Sequence, residues 1–283
     1  MPKRNRLPVF LIAFAVALTS FTVLAAPKAK LWERWTAHDP TATTTIDHSR
    51  WQRFLEAYVR HYPDGINRVR YASVTDADKR VLDDYTANLA AIPIRVYNRA
   101  EQRAYWINLY NALTVKVILE HYPVKSIREI SGWFTIGPWR GPWNKKLITV
   151  EGKKLSLNDI EHRILRPIWR DPRIHYAVNC ASIGCPNLRD EAFTAVNAEV
   201  LLTRAAREYI NNPRGAQIKN GRLIVSSIYT WFQEDFEDSD EGVVRHLQQY
   251  AGPPLGSALA RTTRIADDQY DWALNDVMSA PEQ

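Results

Sequence analysis

The sequence predicts an α+β fold, a helix-rich single domain with a small sheet and hairpins. Three observations favour this class. Helical segments outnumber strand segments and do not alternate regularly with them, as they would around a doubly wound sheet. One helix, from Asn98 to His121, is apolar almost all round, which is typical of a helix buried in a large core. Asn220-Gly221 lies between two short strand-like runs and is the strongest hairpin signal in the chain.

Residues 1–25 have the order of a secretory signal peptide. Basic residues precede an uncharged apolar run from Leu7 to Leu24, and the small residues Val23 and Ala25 suit a signal peptidase. A retained membrane anchor is the alternative, because about eighteen apolar residues could just span a bilayer. Cleavage would lower the formal charge from +6 to +3. We therefore expect a periplasmic or secreted protein with no stable membrane span.

The remaining elements are predicted in chain order. Residues 26–45 are expected to form a flexible tether because they contain two prolines and a run of threonines, and residues 46–283 to form one globular domain. Lysine and arginine alternate with acidic residues along most of the chain, which argues against nucleic-acid binding. The cap, turn and periodicity signals predict helices at 49–61, 76–89, 98–121, 156–166, 197–210, 229–236 and 241–250, hairpins at 146–155 and 217–225, and a strand at 173–179.

Both cysteines fall in one unusual segment, from His175 to Asn187. Two thiols in an exported protein are normally oxidised, which predicts a Cys180–Cys185 disulfide. Alternatively, Cys180 is a nucleophile activated by His162 or His175. The Cys-x4-Cys spacing also fits zinc loosely, although we expect no cofactor or metal. In a regular strand Cys180 would point away from His175, so His162 is the preferred partner.

Two further groups of residues are candidates for ligand contact. Asn108 and Asn111 lie three apart on the buried helix, so they either tie it to a neighbouring loop or line a cleft. A long loop from 131 to 143 is rich in Gly, Pro and Trp, and its tryptophans could stack on a sugar or a peptide side chain or could cap the core. The predicted contacts with a small-molecule, peptide or glycan ligand are Tyr110, Trp133, Trp139 and Trp143.

Three motifs resemble the domain-of-unknown-function 547 family, which is found in exported bacterial proteins and as a module in some plant proteins. They are Tyr105–Ala112, Leu157–Arg166 and His175–Pro186, with weaker similarity over Tyr229–Phe236. The resemblance covers roughly residues 90–240 and implies no assigned function. A more distant similarity, to papain-like and transglutaminase-like folds, is limited because their nucleophilic cysteine opens the buried helix, whereas here it follows later.

Two functions are consistent with these patterns. We expect an exported cysteine-dependent hydrolase or acyl transferase, with Cys180 as nucleophile, His162 as general base, and Asn108 or Asn111 as polar support. The alternative is a non-catalytic envelope binding module, in which Cys180 and Cys185 form a disulfide and the tryptophan loop is the contact surface. A fast-reacting free thiol would favour the enzyme, and a stable disulfide would favour the module.

Overall fold

The computed structural model describes residues 26–130 and 141–279, and these form an α+β domain as predicted. Buried side chains form two clusters, one built mainly on residues 35–202 and one mainly on residues 205–259. None of the helices in the described ranges has the length and the hydropathy that a membrane span requires.

The first cluster is organised by three helices. Helix α2 (Asp76–Ala91) packs against both helix α1 (Ser49–Tyr58) and helix α3 (Arg99–His121). Strands β1 (Val59–Arg60) and β2 (Arg68–Val69) form a short antiparallel pair after α1. The long apolar helix is therefore confirmed. It begins where predicted, because the side chain of Asn98 accepts hydrogen bonds from the backbone of Ala100 and Glu101 at 3.1 and 3.0 Å.

A hairpin and an irregular helix follow. Strands β3 (Ile148–Val150) and β4 (Lys153–Leu155) pair antiparallel across the predicted turn. Ser156 and Asp159 form the predicted capping box for helix α4 (Leu157–Ile160). The chain then makes a π-helical turn over Glu161–Leu165 before helix α5 (Arg166–Trp169). Such π turns are frequent at functional sites.

The C-terminal part builds the second cluster. It contains helix α6 (Ala198–Ile210), strands β5 (Ala216–Lys219) and β6 (Arg222–Ser226), helices α7 (Ser227–Trp231), α8 (Asp240–Tyr250) and α9 (Pro253–Leu259), and strand β7 (Asp267–Gln269). The β5–β6 hairpin is confirmed. Strand β7, which had no sequence signal, adds to β6 in parallel to give the order β5-β6-β7.

The strand predicted at 173–179 is wrong. Pro172–Tyr176 forms a 3-10 helix, and Asp171 caps it by accepting a hydrogen bond from the backbone of Arg173 at 2.9 Å. A capping Asp followed by Pro at the first position is a helix-start signal, which outweighs the apolar alternation in this segment. The argument that directed His175 away from Cys180 therefore no longer applies.

The flexible tether predicted at residues 26–45 is also corrected, because this segment packs on the domain. The backbone of Lys30 and Trp32 donates to the carbonyls of His162 and Arg163 at 2.9 and 3.0 Å. Trp35 is only 1% exposed, and its ring meets Trp106 edge-on at 5.1 Å. Burial of this large aromatic side chain holds the segment in place, despite its two prolines and its threonines.

Candidate functional site

A cavity that is partly open to solvent lies where the two clusters meet. Most of its wall is apolar, which is typical of a ligand site. Its polar groups come from the segments that the sequence had singled out, together with the C-terminal part of the chain. The polar side chains that matter most are Glu161, His162, His175, Cys180, Cys185 and Tyr270.

Cys180 follows the 3-10 helix and makes an unusual set of contacts. Its Sγ lies 3.0 Å from the Tyr270 hydroxyl and 3.2 Å from Ser182 Oγ, and its backbone N–H donates to Cys185 Sγ at 3.0 Å. Burial opposes ionisation of this thiol, but hydrogen bonds from Cys185, Ser182 and Tyr270 outweigh that effect and lower the pKa of Cys180. The arrangement therefore favours a thiolate at Cys180.

Cys185 is the other member of the pair. Both cysteines are free thiols in the structure, so the predicted disulfide is not formed here. Burial, followed by the contact with Cys180, raises the pKa of Cys185 well above its ordinary value. Cys185 therefore stays protonated and can donate a hydrogen bond to the Cys180 sulfur. The two thiols thus have different chemical characters.

The backbone around Cys180 is held in a costly conformation. Ala181 has φ = 60°, in the left-handed region that costs a non-glycine residue about 1 kcal/mol. Asn179 Oδ1 accepts from the Ala181 N–H at 2.9 Å, and the Asn275 N–H donates to the Ala181 carbonyl at 3.1 Å. Strain that is held by its surroundings next to a reactive side chain is common at active sites.

The C-terminal segment delivers Tyr270 to the thiol. It runs beside residues 182–184, with an antiparallel bridge between Ser182 and Leu274 and a hydrogen bond from the Gly184 N–H to the Asp271 carbonyl at 2.8 Å. A Cβ at position 184 would stand 2.7 Å from the Asp271 nitrogen. Only glycine permits this approach, so Gly184 determines how close the two segments lie.

His175 is oriented by a carboxylate. Its Nε2 lies 2.7 Å from Asp235 Oδ2, so the proton is on Nε2 and Nδ1 is left as an acceptor, 3.9 Å from Glu161 Oε1. Burial opposes the charge on Asp235, but hydrogen bonds from His175 and Arg166 outweigh it and lower the pKa of Asp235 to about 2. An imidazole held in this way has the tautomer and orientation of an acid–base group.

His162 has a different state from the one predicted. Its Nδ1 is 3.0 Å from a guanidinium nitrogen of Arg166. Arginine can only donate, so Nδ1 accepts and Nε2 carries the proton. Burial is the main reason that the pKa of His162 is lowered to about 4. Glu161 raises this pKa, whereas Arg166 and His175 lower it further. At neutral pH His162 is thus a neutral N–H donor, which does not suit the general-base role expected of it.

Asn108 and Asn111 act as ties rather than as groups in the cleft. Asn108 donates to the Phe193 carbonyl at 2.7 Å and accepts from the Phe193 N–H at 3.0 Å. Asn111 donates to the Ala177 carbonyl at 2.8 Å and accepts from the Asn179 N–H at 2.8 Å. Both side-chain amides thus pair with backbone, and Asn111 fixes the segment that leads to Cys180. Their predicted role as polar support for catalysis is therefore indirect.

The predicted aromatic contacts are placed in part. Tyr110 and Trp143 line the cavity, and Trp143 meets Trp272 at a centroid distance of 5.7 Å. Trp133 and Trp139 lie outside the described residues. Sequence reasoning did not identify Glu161 or Asp235, although both lie within the family motifs. It also did not identify Tyr270 and Trp272, which belong to no local sequence pattern. The other site residues that it did not identify are Ser182, Trp231 and Phe232.

These features define an α+β domain whose thiol faces a cavity rich in aromatic side chains. Residues 94–210 match the family model described as "Protein of unknown function, DUF547", which supports the resemblance seen in the motifs. The chain has no significant match among curated proteins or among solved structures. Among the residues that the structure describes, no group of three or more His, Cys, Asp or Glu side chains is arranged to hold a metal ion.

Proposed function

We propose that this chain is an exported cysteine-dependent acyl-transfer enzyme, a hydrolase or an acyl transferase, with Cys180 as its nucleophile. One observation carries the proposal. The Cys180 thiol, which has a lowered pKa, faces the same cavity as His175, an imidazole oriented by a carboxylate. A nucleophile and an oriented acid–base group that line one cavity are the parts that covalent acyl transfer requires.

The proposed reaction has two steps. The Cys180 thiol loses its proton to the imidazole of His175, and Sγ then attacks the carbonyl carbon of the substrate. The bond to the leaving group breaks, the leaving group takes the proton from His175, and a thioester remains on Cys180. In the second step water or another acceptor attacks the thioester, with His175 again as base, and the thiol is restored.

The roles of the surrounding groups follow from their hydrogen bonds. Asp235 keeps the His175 proton on Nε2, so that Nδ1 is the atom that exchanges protons. The Nε2–H of His162 is available to a carbonyl oxygen that becomes negative, a role that suits a neutral donor. His162 is therefore proposed as an electrophilic donor, and the base role passes to His175.

An acylation assay tests the proposal. The probe is 4-nitrophenyl acetate, and the readouts are nitrophenolate release and intact mass. We expect one acetyl group on Cys180 of the wild type and none in Cys180→Ser. Because general acid–base catalysis contributes about 10² to 10⁴ in rate, His175→Gln should acylate at least about 100-fold more slowly. His61→Gln is the matched control, because His61 is exposed and also pairs with a carboxylate, that of Asp190. We expect this variant to be acylated at the wild-type rate.

One outcome would overturn the proposal, and a second would change the assignment of the base. The first is acetylation of Cys180→Ser as fast as that of the wild type, which would place the reaction on another residue. The second is an unchanged rate in His175→Gln together with a large loss in His162→Gln, which would retain the nucleophile but return the base role to His162.

A non-catalytic envelope binding module is the second candidate, favoured by the aromatic cavity wall. Intact mass of mature protein from the periplasm, after rapid alkylation with and without prior reduction, separates the two. A mass lower by two hydrogens, with no adduct before reduction, would establish the Cys180–Cys185 disulfide and favour the module. Rapid alkylation of Cys180 in unreduced protein would favour the enzyme. The same spectrum tests cleavage after Ala25.

A further inference from the structure

The cavity contains an acidic group for which the proposed reaction has no use. Glu161 is 7% exposed and its carboxylate lines the cavity. Among the described residues that line the cavity, it is the one carboxylate, and these residues include no lysine or arginine. A buried carboxylate without a cationic partner is costly, because burial removes its hydration.

The nearest polar neighbours of Glu161 are two histidines and a tyrosine. His162 Nε2 and His175 Nδ1 lie 4.0 and 3.9 Å from its oxygens, beyond hydrogen-bond distance. His162 is neutral at neutral pH, and Nε2 of His175 is committed to Asp235. Tyr110 contributes a hydrogen bond from a neutral hydroxyl, because burial, followed by the charge of Glu161, raises the pKa of that hydroxyl.

Arg166, which begins the helix after the π-helical turn, is engaged elsewhere. It contacts Asp235 at 2.5 Å and Glu234 at 2.7 Å, and it donates to the Pro27 carbonyl at 2.8 Å. These contacts satisfy its charge on the side of the C-terminal cluster. No lysine or arginine of the described cavity lining therefore pairs with Glu161, which faces the cavity with two histidines as its nearest titratable neighbours.

Aromatic rings complete the surroundings of this charge. Trp231, Tyr270 and Trp272 form one aromatic cluster, with centroid distances from 4.6 to 5.6 Å. Arg128 already lies over Trp272, 5.2 Å from the ring centroid. Aromatic faces attract cations, and a carboxylate combined with such faces is the usual receptor for an ammonium group.

We propose that the substrate of this site is an acyl donor that carries an aliphatic ammonium group, bound by Glu161 and the aromatic wall while Cys180 attacks the carbonyl carbon. This inference rests on the proposed function and narrows its substrate class to amino-acyl esters or amides. Anionic acyl donors are disfavoured, because they would meet the charge of Glu161.

Charge-matched alkylating reagents test this inference without a known substrate. The rate of modification of Cys180 is measured with iodoacetamide, with iodoacetate and with an iodoacetamide that carries a trimethylammonium group. Each rate is divided by the rate with N-acetylcysteine, and tandem mass spectrometry separates Cys180 from Cys185. We expect the cationic reagent to be favoured over the anionic one by on the order of thirtyfold in the wild type.

The variants separate Glu161 from other sources of charge preference. In Glu161→Gln the ratio of cationic to anionic rates should fall about tenfold or more, whereas neutral iodoacetamide reports any change in thiol reactivity itself. Glu237→Gln is the matched control, because Glu237 pairs with Arg245 at an exposed site outside the cavity and should leave the ratio unchanged.

Failure of this inference is distinguishable from failure of the proposed function. Equal ratios in the wild type and in Glu161→Gln would overturn the ammonium site, even if Cys180 forms an acyl-enzyme. A cation preference that depends on Glu161, in a protein that forms no acyl-enzyme, would keep the ammonium site and overturn the enzyme.

Discussion

Replacement of Asp235 by asparagine should remove a charge that stabilises the folded state. The pKa of Asp235 is lowered from its ordinary value of 3.8 to about 2 in the folded protein, because hydrogen bonds from His175 and Arg166 outweigh burial. A carboxyl group with a lowered folded-state pKa stabilises the fold fully above its unfolded pKa. At about 1.4 kcal/mol per pKa unit, the contribution at pH 7 is about 2 kcal/mol.

The same linkage gives the pH window in which this stabilisation disappears. It is complete above about pH 5, is reduced by about half at pH 3, and is lost as the pH falls through the folded value of about 2. Urea unfolding of the wild type and of Asp235→Asn at pH 7, 5 and 3 measures it. Asp76 forms an exposed ion pair with Lys79, so Asp76→Asn should change the free energy of unfolding by well under about 1 kcal/mol.

One result would refute the reasoning about Asp235. If the difference between wild type and Asp235→Asn is the same at pH 7 and at pH 3, the ionised carboxylate is not what stabilises the fold. The loss would then come from packing, and the assignment of the His175 proton to Nε2 would lose its support.

Two further predictions concern the segment that carries Cys180. Asn111→Leu leaves the buried Ala177 carbonyl and Asn179 N–H without hydrogen-bond partners. Urea unfolding should therefore show that the free energy of unfolding falls by about 2–4 kcal/mol. A fall of less than about 1 kcal/mol would contradict the role of Asn111 as a tie. Tyr270→Phe removes a hydrogen bond to the thiolate, which should raise the pKa of Cys180 and move the pH profile of its alkylation upward. An unchanged profile would contradict the contact.

Local signals in the sequence predicted the elements that local chemistry determines. Helix α3 has a side-chain cap at Asn98 and an apolar surface, and both act within the helix itself. The β5–β6 hairpin follows from Asn220-Gly221, which adopts the positive φ angles that its turn requires. The Ser156–Asp159 capping box likewise depends on residues three apart.

The errors arose where distant contacts decide the structure. Residues 26–45 look like a tether until the burial of Trp35 against helix α3 is known. The position of the His162 proton depends on Arg166, which is itself held by ion pairs with Glu234 and Asp235 far along the chain. His175 could not be assigned its partner, because Asp235 lies sixty residues further along the chain.

The position of Tyr270 has a practical consequence for how this protein is studied. The family match ends at residue 210, whereas the hydroxyl beside Cys180 comes from a residue ninety positions after that cysteine. Asp235, which orients His175, is also outside the match. A fragment expressed to the limits of residues 94–210 would contain the thiol but neither of these partners. Its lack of reactivity would then reflect the choice of boundaries rather than the chemistry of the intact protein.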